Sequence, residues 1–204
     1  MYILQPMTTE FNTDPEILVP DDDILTKLGL PTGLDTARVI VHLVYGHRTY
    51  ALHCAKYRND TGQWVTLLPP CKIPQYKFHI CIYFYAVCRY LFDNLSLRAA
   101  AQAARVAWDL HAKDFSHTTL MRFIRKLSVV IKEYPIEEWM LIPPCQEDQP
   151  ESDPSLPSKR AAAPGQLTVQ LKSLNQIIQD TKKFRIVCEK LAEHFRVKYK
   201  RFIL

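Results

Sequence analysis

An α+β fold, mainly α, is predicted for this chain: a small antiparallel β element, then a three-helix bundle, then one long amphipathic helix. Three observations carry that expectation. Hydrophobic spacing changes from a period of two to a period of about 3.6 after residue 68. Proline-rich acidic stretches stand before and after the patterned region. Charge falls in blocks: residues 72–132 carry ten basic against three acidic side chains, residues 133–158 none against seven, and residues 159–204 eleven against three. The 204 residues are 48% hydrophobic and 23% charged, enough for one or two compact domains, and the formal net charge of +5 leans toward polyanionic partners.

Residues 1–36 read as an acidic, irregular lead-in with at most one short helix around residues 24–28, because Pro6, Pro15, Pro20 and Pro31 interrupt it. Residues 37–75 read as a small β element. Its strands are Val39 to Tyr45, Thr49 to His53 and Trp64 to Leu68, with turns at Gly46-His47 and at residues 59–62. Pro69, Pro70 and Pro74 end it. Residues 76–142 read as three helices over 76–92, 97–108 and 117–134. The first is apolar on most sides and suits the middle of a bundle; the second is alanine-rich behind a Ser96 cap; the third follows a Ser116 cap, with Phe115 placed to staple against Leu120. Residues 143–166 hold many prolines and polar side chains and read as a linker between two folding units. In residues 167–204 a stripe including Leu171, Leu174, Ile178, Leu191 and Phe195 recurs at helical spacing and reads as one long, basic amphipathic helix.

The third helix of the bundle divides by face. Leu120, Phe123, Ile124 and Leu127 share the core side, which leaves His117, Thr118, Arg122, Arg125 and Lys126 to project outward. In a helix-turn-helix the second helix of the motif enters the major groove by its N-terminal part, where its dipole also favours phosphate. Ser116, His117, Thr118 and Thr119 supply short donors there, and Arg122 and Arg125 reach bases or phosphates. Arg98, Arg105 and Lys113, with Lys132, widen the basic footprint. Double-stranded DNA is the expected partner. The connection over residues 109–115 exceeds the usual three or four residues, so the motif would be a variant.

The stretch LSLRAAAQAARVAWDLHAKDFSHTTLMRFIRKL (residues 95–127) resembles the helix-turn-helix of bacterial insertion-sequence transposases and their short associated proteins. Upstream, LHCAKYRNDTGQWVTLLPPCKIPQYKFH (residues 52–79) is similar to the second half of the zinc ribbon that precedes that bundle in the same group. The likeness spans about residues 45–130 and implies a DNA-binding, mobile-element-related protein. Where the family carries two CxxC knuckles, this chain keeps Cys54 but has Tyr57 at the second position, and no CxxC lies upstream. The ribbon is therefore expected to be degenerate, with Tyr57, Trp64 and Leu67 as an apolar cluster, and no metal or other cofactor is expected. A site built from His47, His53, Cys54 and Cys71 would match no standard knuckle spacing.

Cys81 and Cys88, on one helix face, read as core residues, and the six cysteines together suggest a reducing compartment rather than a disulfide scaffold. Transposases of that kind transfer phosphoryl groups at acidic two-metal sites, which need a ribonuclease-like domain that this chain has no room for; no other catalytic fingerprint occurs, so no enzyme is expected. The apolar run over residues 78–92 contains His79 and Arg89 and falls short of the roughly 20 residues needed to span a bilayer, and no leader pattern opens the chain; a cytoplasmic protein without membrane partners is expected. The alternative function is a protein–protein assembly module, in which residues 167–204 form a homodimer or bind a partner through the apolar stripe.

Overall fold

A computed structural model describes residues 2–4, 17–18, 37–58, 62–133 and 165–199. It mixes strand and helix. The strands are β1 (Tyr2–Leu4), β2 (Ile17–Leu18), β3 (Ala37–Tyr45), β4 (Arg48–Arg58) and β5 (Trp64–Leu68), and the helices are α1 (Ile80–Phe92), α2 (Leu97–Ala107), α3 (His117–Glu133), α4 (Gly165–Gln176) and α5 (Thr181–Tyr199).

β3 is rich in β-branched residues and pairs antiparallel with β4 from Ala37 opposite Lys56 to Tyr45 opposite Arg48. The turn between them is Gly46-His47, and Gly46 adopts a φ of 63°, the left-handed setting that a two-residue hairpin asks of its first central residue. β4 runs on to Arg58, past the strand end expected at His53, because Lys56, Tyr57 and Arg58 pair antiparallel with Thr66, Val65 and Trp64. The lead-in supplies two short strands where irregular chain was expected: β1 runs parallel to β5, and β2 parallel to β4 at His53 and Cys54. Such pairings depend on distant partners and leave no local periodicity. The helix expected around residues 24–28 lies outside the described residues.

The first helix begins at Ile80, four residues later than its periodicity suggests. The residues before it are bonded elsewhere: the Val44 N–H donates to the Lys77 carbonyl at 2.9 Å, the His79 N–H to the Val44 carbonyl at 3.0 Å, and the Ile80 N–H to the Cys71 carbonyl at 2.9 Å. Carbonyls and amides spent this way cannot join an i to i−4 ladder. From Ile80 to Cys88 every side chain of α1 is buried, and α2, α3, α4 and α5 all touch it. α2 is capped by the Ser96 hydroxyl, which accepts from the Ala99 N–H at 3.2 Å, and it lays Ala100, Ala101 and Ala104 into the core, where small side chains allow close approach.

The C-terminal segment corrects the expectation of one long helix. It folds as two, α4 and α5, with a break in which the Ile178 N–H bonds the Asn175 carbonyl and the Asp180 N–H bonds the Ile177 carbonyl. Asp180 then caps α5, its carboxylate accepting from the Lys183 N–H at 2.9 Å. The apolar spacing conceals the break because Leu174, Ile177 and Ile178 are all buried across it. These helices also do not form a separate unit with an open stripe. Leu171, Leu174, Ile178, Leu191 and Phe195 are between 0% and 5% exposed and share one core with α1, so the dimer or partner surface expected from them is occupied within the chain. Of the expected linker, residues 143–164 lie outside the described residues, and Gly165 and Gln166 belong to α4.

His79 fastens these layers together. Its side chain is fully buried; Nδ1 accepts from the Cys81 N–H at 3.2 Å, capping α1, and Nε2 lies 2.9 Å from Glu189 Oε1 on α5. With Nδ1 accepting, the proton sits on Nε2 and is donated to Glu189, so the ring is neutral. Burial holds the imidazole below its ordinary value of 6.5, and the bond to Glu189 opposes that only in part.

Two outcomes follow from this packing. A buried imidazole with a lowered pKa binds fewer protons folded than unfolded, so its contribution is complete above about pH 6.5 and is lost as pH falls below that value. Urea midpoints measured between pH 7.5 and 5 should decline through that window, and the slope should flatten in His79→Gln; removing the ring as His79→Ala should cost about 2–5 kcal/mol through the lost cap and the lost bond to a carboxylate. Leu174→Ala should cost about 2–5 kcal/mol in the same assay while leaving the sedimentation-derived mass unchanged, whereas a dimer contact would change the mass.

Candidate nucleic-acid interface

α3 is positioned by its own amphipathic sequence. Leu120, Phe123, Leu127, Val130 and Ile131 are buried against α1, and Ser116 starts the helix with its hydroxyl accepting from the Thr119 N–H at 3.2 Å. The residue before the cap, Phe115, sits at a φ of 48°, a setting that bulky residues seldom adopt. Its ring holds it there, edge-on to Phe78 at 5.3 Å and to Tyr83 at 5.2 Å between centroids, while the Arg105 guanidinium donates to the Phe115 carbonyl at 3.4 Å. Phe115 and Leu120 are both buried in the common core, as a hydrophobic staple requires.

The sequence-predicted site residues separate into two groups. On the open face of α3, His117, Arg122, Arg125 and Lys126 are exposed and Thr118 and Thr119 half-buried, with Arg122, Arg125 and Lys126 at i, i+3, i+4 spacing. Among the described residues, neither Arg122 nor Arg125 makes a hydrogen bond or an ion pair. The others are placed differently. Ser116 is committed to the cap and also lies 3.0 Å from the Thr119 hydroxyl, and Arg105 braces the α2–α3 connection. Arg98 and Lys113 are exposed, on the first turn of α2 and in the connection before α3.

Beside α3 the chain leaves a cleft of about 580 Å³, walled on one side by Thr119, Arg122, Arg125 and Lys126 and on the other by residues 75–78. Tyr76 is its aromatic wall. The ring meets Tyr83 and Phe123 edge-on at 5.2 and 5.9 Å, and the Lys126 ammonium stands 5.1 Å from its centroid. Burial raises the Tyr76 hydroxyl above its ordinary value, and the charge of Arg122 opposes that in part. Lys77 is already paired, to Asp114 at 2.8 Å, so among the described residues Arg122, Arg125 and Lys126 set the field of the cleft.

Sequence reasoning did not find Tyr76 as part of this site, since nothing local marks it; the sheet bridges at Val44 and Lys72 bring it alongside α3. It also misplaced Trp64. Instead of filling an apolar cluster, the indole is 41% exposed, with the Lys56 ammonium 4.5 Å and the Arg58 guanidinium 5.1 Å from its ring. The signal was readable, because Lys56 and Arg58 alternate onto one face of β4 and Arg58 stands opposite Trp64. Leu67 is buried as expected.

No protein family, curated protein or solved structure matches this chain. Cys54 lies in a small apolar cluster with Leu43, Leu52, Leu68 and Cys71, and burial pushes its thiol up to about 12. Among the described residues, no three His, Cys, Asp or Glu side chains converge as a metal-binding group, and no helix is long and apolar enough to cross a membrane.

Replacing Ser116 by Ala should remove the cap acceptor and lower stability by about 0.5–2 kcal/mol in thermal or urea unfolding. Amide exchange should quicken in the first turn of α3 and stay unchanged in α1.

Proposed function

We propose that this chain is a non-catalytic DNA-binding protein of helix-turn-helix type, with α2 and α3 as the motif and α3 as the helix that meets the duplex. One observation carries the reading. Arg122 and Arg125 stand on the open face of a helix whose opposite face is buried, and they are not consumed by ion pairs among the described residues. Long cationic side chains held on a rigid helix can neutralise phosphates or donate in pairs to guanine, and the polar first turn adds short donors at the positive end of the helix dipole. Lys126 extends the stripe, and Arg98 and Lys113 add charge without restraint.

A binding role also suits the thiols. Cys71, Cys81, Cys88 and Cys188 are buried, and desolvation raises each of them, so none is poised as a nucleophile. The resemblance of residues 95–127 to the helix-turn-helix of insertion-sequence transposases supports a mobile-element setting, as a regulator or an end-binding accessory protein. The assembly alternative loses the stripe it relied on, which packs against α1.

Binding to random duplex DNA should weaken steeply with salt, log Kobs falling by about 0.9 per phosphate contact for each unit of log salt. In Arg122→Ala/Arg125→Ala, with circular dichroism unchanged, that slope should shrink by about 2 and retention on duplex at moderate salt should be lost. Retention equal to the parent protein would remove α3 from the interface.

A further inference from the structure

We infer that the cleft between α3 and residues 75–78 is a site for a single nucleotide unit, an unpaired base with its phosphate, separate in kind from contact with a duplex. Three properties of the cleft lead there. Its volume of about 580 Å³ falls within the roughly 300–1,000 Å³ of sites that enclose small organic ligands, and is far smaller than a duplex. Arg122, Arg125 and Lys126 lie along one wall, and among the described residues no acidic side chain lines it. Opposite them stands Tyr76, half-buried, braced edge-on by Tyr83 and Phe123 so that its ring plane is fixed.

A phosphate is the group that such a wall would hold, since two guanidiniums and an ammonium can donate to several of its oxygens at once. An inorganic anion would leave the aromatic wall unused. A flat ring of the size of a nucleobase uses both, stacking on Tyr76 while its phosphate meets Arg122 and Arg125. The Lys126 ammonium, 5.1 Å from the Tyr76 centroid, makes a water-exposed cation–π contact weak enough for an entering ring to replace, and it is then free to turn to the phosphate. Thr119 also lines the cleft, with its hydroxyl 3.0 Å from that of Ser116. Stacking on a tyrosine face is tolerant of base identity, so the site selects an unpaired nucleotide over a paired one and has little preference among bases.

This site does not rest on the duplex reading, although the two share Arg122 and Arg125. The full chain is titrated calorimetrically, in phosphate-free buffer, with deoxythymidine monophosphate, inorganic phosphate, a short single-stranded oligothymidylate and a random duplex. Expected is binding of the single strand or the mononucleotide at least about tenfold tighter than of phosphate, the difference reporting the ring. Binding of the mononucleotide identifies free nucleotide as a source of the ligand; binding of the strand alone identifies an unpaired position within a chain. Tyr76→Leu, which removes the stacking face and leaves α3 and every cation in place, should weaken that binding about tenfold or more and leave duplex affinity within about twofold. Tyr76→Met, which keeps more of the packing against Tyr83 and Phe123, should do the same and serves if Tyr76→Leu melts early. No heat with either single-stranded ligand, equal affinity for phosphate and nucleotide, or variants that bind both as the parent does would overturn the proposal while leaving the duplex reading intact. Loss of duplex binding alone in Arg122→Ala/Arg125→Ala, with nucleotide binding kept, would also overturn the proposal, since those two guanidiniums are to hold the phosphate.

Discussion

A single buried imidazole ties the layers of this protein to one another. The backbone of His79 pairs with Val44 in β3, its Nδ1 caps α1, and its Nε2 reaches Glu189 on α5. Sheet, central helix and C-terminal helix therefore meet at one residue with no exposed surface. A neutral ring that accepts with one nitrogen and donates with the other is the only form that serves both partners, so the arrangement fixes a tautomer as well as a position. The neighbouring ring of Tyr45, 5.0 Å away between centroids, closes the remaining side.

The cleft beside α3 is a consequence of that junction. Lys77 and His79 are held to Val44 by backbone hydrogen bonds, and this sets where the Tyr76 ring stands relative to the helix opposite. α3 in turn is anchored by five buried side chains and by the strained turn at Phe115, whose ring packs on Phe78 from the same held segment. Both walls of the site thus rest on one aromatic cluster of Phe78, Tyr83, Phe115 and Phe123. Rigid walls suit a site whose cations must stay apart in the absence of an anion, since a loose helix would let Arg122 and Arg125 find carboxylates elsewhere.

Much of the helical part was legible because its signals are local. Ser96 and Ser116 are cap residues by chemistry, and each caps the helix expected of it. The alternation of Leu120, Phe123 and Leu127 with Arg122 and Arg125 states which face of α3 is wet. Elsewhere, local signals misled. The apolar spacing from Leu167 to Phe195 runs through a turn without a break, because the turn residues are themselves buried, and only the Asp180 cap marks the restart. Trp64, large and apolar, suggested core but lies exposed between two cations at the end of a hairpin.

By itself the sequence determined the period of each segment, the caps of α2 and α3, the turn at Gly46 and the separation of cationic from apolar side chains on α3. All of these follow from torsional preference and from contacts within a few residues. Tertiary structure alone decided that the C-terminal stripe is covered by α1, that β1 and β2 join the sheet, and that Tyr76 faces Arg122 and Lys126 across a cleft. Those outcomes depend on which distant surface an apolar or aromatic group meets, and burial free energy is non-directional: it says that a stripe will be covered without saying by what.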